Sequence, residues 1–135
     1  MRNLMGSITT IRVSDFGKAK EFYGGVLGLA PLRSMAGGMK PLPADYPGYA
    51  AYDCSNGTGL LIYEGGPTHA ESTLCAFSVG DLAEVMTDLR GKGITFEEYD
   101  YPGFKTVNGV LTDQYSKSAW FKDPDGNYLC VTEIL

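Results

Sequence analysis

The chain has 135 residues, enough for one domain that buries a hydrophobic core. Hydrophobic residues make up 44% and charged residues 20%, a balance typical of a folded globular protein and not of a disordered one. The formal net charge of -5 argues against a nucleic-acid surface, which requires basic residues to neutralise phosphates, and favours neutral or cationic small molecules as partners.

The compartment is predicted from two further features. No segment is apolar for long enough to span a membrane, and residues 1–7 lack the apolar core of a secretory signal. The three cysteines, Cys54, Cys75 and Cys130, lie far apart without a CxxC pair, which is typical of reduced thiols. We therefore expect a cytoplasmic protein with neither a membrane nor a nucleic acid as partner.

An internal repeat organises the chain. Residues 8–15 (ITTIRVSD) align with residues 74–81 (LCAFSVGD), and in each copy an apolar strand ends at a small residue and an aspartate. A helical pattern follows each copy. Asp15 and Asp81 are suited to cap these helices, and Glu84 is placed to complete a capping box. We predict two related halves, each opening with a strand and a helix.

Further strands are predicted after each helix. The first half has candidates at 32–35, 50–53 and 59–64, and the second half at 94–98, 118–122 and 128–134. The turn DPDGN at 123–127 joins the last two as a hairpin, because Pro and Gly favour its backbone dihedrals. Each half is therefore predicted to be a βαβββ module within a single domain over residues 1–135, module one at about 5–66 and module two at about 72–135.

Two phrases of the sequence resemble a known family. IRVSDFGKAKEFYGGVLGL and the closing AWFKDPDGNYLCVTE are similar to the glyoxalase / bleomycin-resistance / extradiol dioxygenase superfamily, also called the vicinal oxygen chelate superfamily. The resemblance covers nearly the whole chain. It implies an α+β fold in which two tandem βαβββ modules form a cupped eight-stranded mixed sheet around a cavity, and it implies a homodimer.

The resemblance also implies where a metal would be bound. Enzymes of the superfamily hold a divalent metal through His, Gln or Glu on the first and last strands of the modules, and the metal polarises a substrate oxygen. The matching positions here are Ile8, Leu74, Cys130 and Leu61, with Tyr63 as the alternative register for the fourth. Aliphatic side chains donate no ligand and one thiol does not make a site. We expect no cofactor, and a divalent metal fits this sequence only if its ligands are relocated.

Three further residues are of a type that binds metals. His69, the single histidine, lies in the connector and is interpreted as a solvated loop residue. Glu64 ends a strand, and a slip of one residue would turn it, in place of Tyr63, towards the cavity. Glu133 is expected to face away from the cavity, because strand alternation puts Cys130 on the opposite face. No catalytic residue is assigned.

Strand alternation also predicts the ligand-binding residues. Residues two apart on a strand share a face, so the candidates lie beside the former metal positions, joined by aromatic residues near the cleft. The predicted set is Arg12, Thr10, Tyr52, Ser78, Trp120, Tyr128 and Cys130. In glutathione-dependent members an arginine at the spacing of Arg12 anchors a substrate carboxylate; the alternative is a structural salt bridge with Asp15 or Glu21.

Two long segments rich in aromatic residues, 36–48 with its flanking tyrosines and 99–117, are predicted to be lids over the cleft. Their rings would stack on planar or cationic ligands, or else pack the core or a dimer interface, and Trp120 fits either role.

Three functions are consistent with these features. The first is a metal-independent small-molecule-binding protein of the glyoxalase/bleomycin-resistance type that sequesters a drug or metabolite. The alternative is a glyoxalase-like lyase or isomerase that uses a relocated metal or no metal. The third is a structural or regulatory dimer with a filled cavity, which the large side chains at Ile8, Leu61 and Leu74 would favour.

Overall fold

The chain divides into two compact units, Met1–Thr68 and His69–Leu135. The structure is a computed structural model, and it describes residues 1–4, 7–32, 46–68 and 70–135. Most of the predicted strand at 32–35, most of the predicted lid at 36–48 and the connector residue His69 lie outside the described residues. Each unit is described by itself below.

The first unit follows the predicted order of a strand, a helix and three strands. Its elements are β1 (Ile8–Val13), α1 (Phe16–Lys20), a π-helical segment (Glu21–Val26), β2 (Ala30–Pro31), β3 (Tyr49–Asp53) and β4 (Gly59–Glu64). The sheet runs in the order β1-β4-β3-β2, with β1 parallel to β4 and the other neighbouring strands antiparallel.

The helix of the first unit begins where the sequence predicts. The carboxylate of Asp15 accepts a hydrogen bond from the Lys18 backbone N–H at 3.0 Å, which satisfies one of the free amides of the first turn. Ala19, Phe22 and Tyr23 are buried, so the predicted apolar face of the helix supplies the core of this unit.

The second unit repeats this order and adds a short hairpin. Its elements are β5 (Thr73–Ser78), α2 (Leu82–Gly91), β6 (Asp100–Tyr101), β7 (Phe104–Lys105), β8 (Leu111–Thr112), β9 (Ser116–Lys122) and β10 (Tyr128–Ile134). The sheet runs β5-β10-β9-β8, with β5 parallel to β10, while β6 and β7 pair only with each other. Two βαβββ modules with mixed sheets confirm the predicted α+β fold.

The prediction of a strand at 94–98 is wrong. One backbone hydrogen bond, from Glu97 N–H to Trp120 O at 2.8 Å, links this segment to β9, and β8 is the edge strand beside β9 instead. Phe96 is buried and packs edge-on against Phe121, with ring centroids 5.8 Å apart. Burial of this one ring holds the segment in place without a ladder of hydrogen bonds.

Helix α2 is capped by two carboxylates from different parts of the unit. The Asp81 carboxylate accepts from the Glu84 backbone N–H at 3.0 Å, as the sequence predicts. The Glu133 carboxylate, from β10, accepts from the Leu82 backbone N–H at 2.8 Å. Glu133 therefore lies on the helix side of the sheet, which confirms that it faces away from the Cys130 side.

Replacing Glu133 with alanine is expected to lower the free energy of unfolding by about 1 kcal/mol, because a first-turn amide of α2 loses its acceptor and the helix dipole loses a compensating charge. Urea denaturation followed by circular dichroism measures this change. Glu71→Ala, which removes an exposed carboxylate from the same unit, is the matched control. Equal effects of the two substitutions would contradict the capping role.

In the described part of the chain, no helix is both long enough and apolar enough to cross a membrane.

Candidate functional site

The first unit presents one sheet face that is not covered by its helix. Ile11 and Val13 of β1 are buried on the helix side, so Ile8, Thr10 and Arg12 lie on the other face. Both Thr10 and Arg12 are exposed. The predicted grouping of these three side chains on one face therefore agrees with the structure.

The register between β1 and β4 decides which residues of β4 share that face. Leu61 pairs with Thr10, and Tyr63 pairs with Arg12. Glu64 pairs with Val13, which places it on the helix side of the sheet. Leu61 and Tyr63 are thus the β4 residues beside Arg12, and Glu64 lies on the opposite face.

Tyr52 lies away from the predicted site. It pairs with Leu60 on the helix side of the sheet and is only 6% exposed. Its ring packs against the backbone of Gly24, where a Cβ atom would be 3.4 Å from Tyr52 Cε1. Burial raises the pKa of the Tyr52 hydroxyl. Tyr52 is therefore a core residue and does not share the face of Thr10 and Arg12.

Arg12 crosses the face along a path that a glycine leaves open. A Cβ atom at Gly65 would come within 2.5 Å of Arg12 Cδ, so the side chain lies directly on the Gly65 backbone. Tyr63 is adjacent, and its ring is stacked on that of Tyr49 with centroids 6.3 Å apart. Arg12 and the stacked Tyr49 and Tyr63 rings are thus carried by neighbouring strands of the first unit.

The second unit brings together four of the predicted ligand-binding residues. On β9, Trp120 is the partner of Cys130 of β10. The pairs two residues away, Tyr128 with Lys122 and Thr132 with Ser118, point to the same side of the sheet. The side chains on this face are Thr73, Ala76, Ser78, Ser118, Trp120, Lys122, Tyr128, Cys130 and Thr132. Ser78, Trp120, Tyr128 and Cys130 therefore share one surface, which we call the β10 face.

The centre of the β10 face is polar but uncharged. The hydroxyl oxygens of Ser118 and Thr132 are 2.8 Å apart and share a hydrogen bond. Cys130 is 5% exposed, and burial raises the pKa of its thiol, with Ser118 and the Ala119 backbone partly offsetting the effect. The thiol is thus in its neutral form near pH 7 and supplies a small, weakly polar contact.

Leu74 lies at an irregularity of β5. The pairing of β5 with β10 shifts between Tyr128 and Leu129, so that Thr73 pairs with Tyr128 and Cys75 pairs with Leu129. Leu74 falls between these pairs and is 43% exposed. At the position where the family would place a metal ligand, the second unit presents an exposed aliphatic side chain.

Trp120 is the centre of an aromatic cluster that the sequence did not predict. Its indole N–H donates to the Thr73 hydroxyl at 3.1 Å. The ring centroids of Tyr99 and Phe104 lie 5.9 Å and 5.4 Å from that of Trp120. Tyr101 stacks on Tyr99 at 6.3 Å. We call residues 99–106, which carry these three rings and contain β6 and β7, the aromatic arm.

The aromatic arm reaches the other end of the β10 face through Tyr99. Burial, followed in effect by Tyr128 and Glu97, raises the pKa of the Tyr99 hydroxyl. The ring contact of Tyr99 on this face is with Trp120, and the charge of Tyr128 acts on its hydroxyl. The prediction of a lid at 99–117 rests on the length and the aromatic content of the segment, and no local pattern of the sequence indicates that its rings meet Trp120.

A cleft of about 380 Å³ adjoins the β10 face at the DPDGN turn. Its lining residues are Ala70, Glu71, Lys122, Asp125, Gly126 and Tyr128. The Lys122 ammonium lies 5.0 Å from the centre of the Tyr128 ring and 3.8 Å from the Glu97 carboxylate. The lysine charge at this end of the face is thus compensated within the unit.

The donor atoms at the family's metal positions do not fit a divalent metal. Ile8, Leu61 and Leu74 have no lone pair to donate, and the thiol of Cys130 is a single ligand. Tyr63, the alternative fourth position, adds neither a carboxylate nor an imidazole to this set. Within residues 1–4, 7–32, 46–68 and 70–135, no three His, Cys, Asp or Glu side chains are grouped to hold a metal ion.

Comparison with known families identifies the class of protein. The model of the Glyoxalase/Bleomycin resistance protein/Dioxygenase superfamily matches residues 6–131. The chain belongs to this superfamily, as the two sequence phrases and the two βαβββ modules indicate. Among curated proteins, none matches the sequence significantly.

Solved structures of similar fold come from several bacteria. A putative glyoxalase family protein from Bacillus anthracis is 20% identical, with 100% of each chain covered and a TM-score of 0.69. TnmS3, an antibiotic binding protein from Streptomyces sp. CB03234, is 18% identical, with 100% of this chain and 99% of that chain covered and a TM-score of 0.67. A glyoxalase / bleomycin resistance protein from Catenulispora acidiphila is 22% identical, with 98% of this chain and 100% of that chain covered and a TM-score of 0.63.

Proposed function

We propose that this chain is a metal-independent small-molecule-binding protein of the glyoxalase/bleomycin-resistance type, which sequesters a drug or metabolite without transforming it. One observation carries the proposal: the β10 face combines Trp120 and the aromatic arm with uncharged polar side chains, around Cys130, which stands where related enzymes have a metal ligand. A surface of this composition offers stacking and hydrogen bonding, and it offers little for metal chemistry.

The chemistry of the β10 face indicates the kind of ligand. Ser78, Ser118 and Thr132 supply hydroxyl groups that both donate and accept hydrogen bonds. Trp120 and Tyr99 supply ring surface, and the Lys122 charge is compensated by Glu97. We infer a planar, uncharged ligand with a few polar groups, because burying such a molecule strands no charge.

The fold comparison supports this proposal in a limited way. One of the structurally similar proteins, TnmS3, is described as an antibiotic binding protein. A fold similar to that of this chain therefore occurs in a protein described as binding an antibiotic. The role proposed for this chain rests on its own β10 face and not on that likeness.

A fluorescence screen tests the proposal, since the chain has 1 tryptophan and that residue lies in the proposed site. Neutral planar aromatic compounds are expected to quench Trp120 saturably, and each bound compound is expected to be recovered unchanged in mass and stereochemistry. Treatment with a chelator should leave the dissociation constant unchanged. The sign of failure is binding that disappears after chelation and returns with a stoichiometric divalent ion.

The same experiment separates the binding protein from the enzyme. A glyoxalase-like lyase or isomerase would convert the bound compound, so that product accumulates over time with catalytic amounts of protein. Chemical conversion of any quenching compound, abolished by heat denaturation, would replace the proposed function with this alternative.

We also propose that the protein works as a homodimer, as the family resemblance implies, and that it is cytoplasmic, which its three widely spaced cysteines favour. Light scattering coupled to size-exclusion chromatography gives the mass directly, and a mass of one chain at the concentration of the binding assay would exclude the dimer.

A further inference from the structure

We propose that the buried hydroxyl of Thr106 holds the aromatic arm against Trp120 and thereby sets the affinity of the β10 face for planar ligands. Thr106 is a positioning residue in this proposal, since it acts through Tyr99 and Phe104. The inference rests on the proposed function for its ligand, while the placement of the arm rests on contacts within the second unit.

Thr106 closes the base of the arm with three hydrogen bonds and one further polar contact. Its backbone N–H donates to Tyr99 O at 2.9 Å, and its hydroxyl oxygen accepts from the Tyr99 backbone N–H at 2.8 Å. The same hydroxyl lies 3.3 Å from Tyr99 O and donates to the Glu98 carboxylate. Thr106 itself is 6% exposed, and the hydrogen bonds of its hydroxyl are partly buried.

The arm depends on this closure because it is a small hairpin outside both four-stranded sheets. Only two residue pairs, Asp100 with Lys105 and Tyr101 with Phe104, join β6 to β7. The turn between them contains Gly103 at a φ of 75°, a conformation that favours glycine. A two-stranded hairpin of this length is marginally stable by itself, so its position is set by what anchors its ends.

The segment that follows the arm is fixed independently to α2. Arg90 donates to Asn108 O at 3.0 Å and covers the Phe96 ring at 5.2 Å. Gly109, at a φ of 80°, packs so closely that a Cβ atom would lie 3.1 Å from Phe96 Cβ. The chain is therefore anchored up to Thr106 from the C-terminal side, and Thr106 transmits this anchoring to Tyr99.

The position of the arm decides how much ring surface surrounds Trp120. Tyr99 meets the indole edge-on, with an interplanar angle of 81°, and Phe104 is tilted by 49°. Tyr101 extends the stack outwards and is 62% exposed. A planar ligand on Trp120 would therefore contact these rings only while the arm stays closed.

The test compares Thr106→Val, which keeps the shape but removes the hydroxyl, with Thr106→Ser, which restores it. Acrylamide quenching reports the exposure of Trp120 in the unliganded protein. Binding of the neutral probe N-phenyl-1-naphthylamine is followed by energy transfer from Trp120. Thr112→Val, in the exposed part of β8, is the matched control, and urea denaturation checks that each variant is folded.

Thr106→Val is expected to raise the acrylamide quenching constant and to weaken binding of the probe about tenfold, since the Tyr99 N–H loses its buried partner. Thr106→Ser and Thr112→Val should stay close to the unsubstituted protein in both measurements. Gly103→Ala, which strains the turn of the arm without touching Thr106, should act in the same direction as Thr106→Val and replaces it if that variant does not fold.

Unchanged quenching and unchanged affinity in Thr106→Val would overturn the proposal, as would tighter binding, which would mean that the arm blocks the site. The proposed function fails separately. If the unsubstituted protein binds neither the probe nor any compound of the screen, the binding function is wrong, while increased quenching in Thr106→Val would still support the positioning of the arm.

Discussion

Replacing Asn127 with alanine is expected to lower the free energy of unfolding by about 3 kcal/mol, a large effect for one side chain. Asn127 is 0% exposed. Its amide nitrogen donates to the Asp123 carboxylate at 3.0 Å, and its amide oxygen accepts from the Ala70 backbone N–H at 3.1 Å. Alanine leaves both groups without these partners, and a buried carboxylate that loses a donor is especially costly.

The same asparagine also links Ala70, which lies just before β5, to the hairpin turn at 123–127. The Asp123 carboxylate accepts from the backbone N–H groups of Asp125 and Asn127, at 3.0 Å and 2.8 Å, so the turn is closed from within. The amide of Asn127 then adds Ala70 to this turn. Residues on each side of the 380 Å³ cleft are thus joined through one side chain.

Urea denaturation followed by circular dichroism measures the effect of Asn127→Ala. Gln114→Ala, at an exposed position of the same unit, is the control and should change stability little. Asn127→Asp is a sharper variant, because it replaces the amide donor with a second carboxylate facing Asp123. If Asn127→Asp were as stable as the unsubstituted protein at neutral pH, the amide–carboxylate contact would be refuted.

Replacing Trp120 with alanine is expected to weaken ligand binding by about 30-fold, equivalent to about 2 kcal/mol, because tryptophan at the centre of a site often dominates the binding energy. Trp120 offers the largest ring on the β10 face and is held by the Thr73 hydroxyl and by two rings of the aromatic arm. Trp120→Phe keeps part of the ring surface, so its affinity should lie between those of the unsubstituted protein and Trp120→Ala.

Isothermal titration calorimetry measures these affinities without using Trp120 as the reporter. Tyr115→Ala is the control, since Tyr115 is also aromatic, precedes the same strand and is 69% exposed. An equal loss of affinity in Tyr115→Ala and Trp120→Ala would place the ligand elsewhere. Retention of full affinity in Trp120→Ala would remove the β10 face from the binding site.

The sequence predicted most of the βαβββ order because the relevant signals are local. The aspartate caps at Asp15 and Asp81 depend on contacts three residues away, and the DPDGN turn closes within five consecutive residues. Alternation along β1 and β10 likewise follows from the pleat of a single strand. The prediction at 94–98 was wrong because Phe96 is buried by tertiary packing without strand pairing.

Candidate site residues were predicted unevenly for the same reason. Ser78, Trp120, Tyr128 and Cys130 share a face because alternation along each strand fixes their relative directions. Tyr52 was grouped with them by residue type, and only the pairing of β3 with β4 shows that it lies on the helix side. The face of the sheet on which a residue lies depends on how its strand pairs with the neighbouring strands.

By itself, the sequence determined that the chain has two repeated modules and that Ile8, Leu61 and Leu74 offer no metal ligand, because residue identity and short-range periodicity are sufficient for both. Only the tertiary structure decided that the aromatic arm packs on Trp120 and that Glu133 caps α2. These contacts join residues far apart in sequence, such as Trp120 and Thr73. Their geometry depends on strand register and on the path of the chain, which no local pattern encodes.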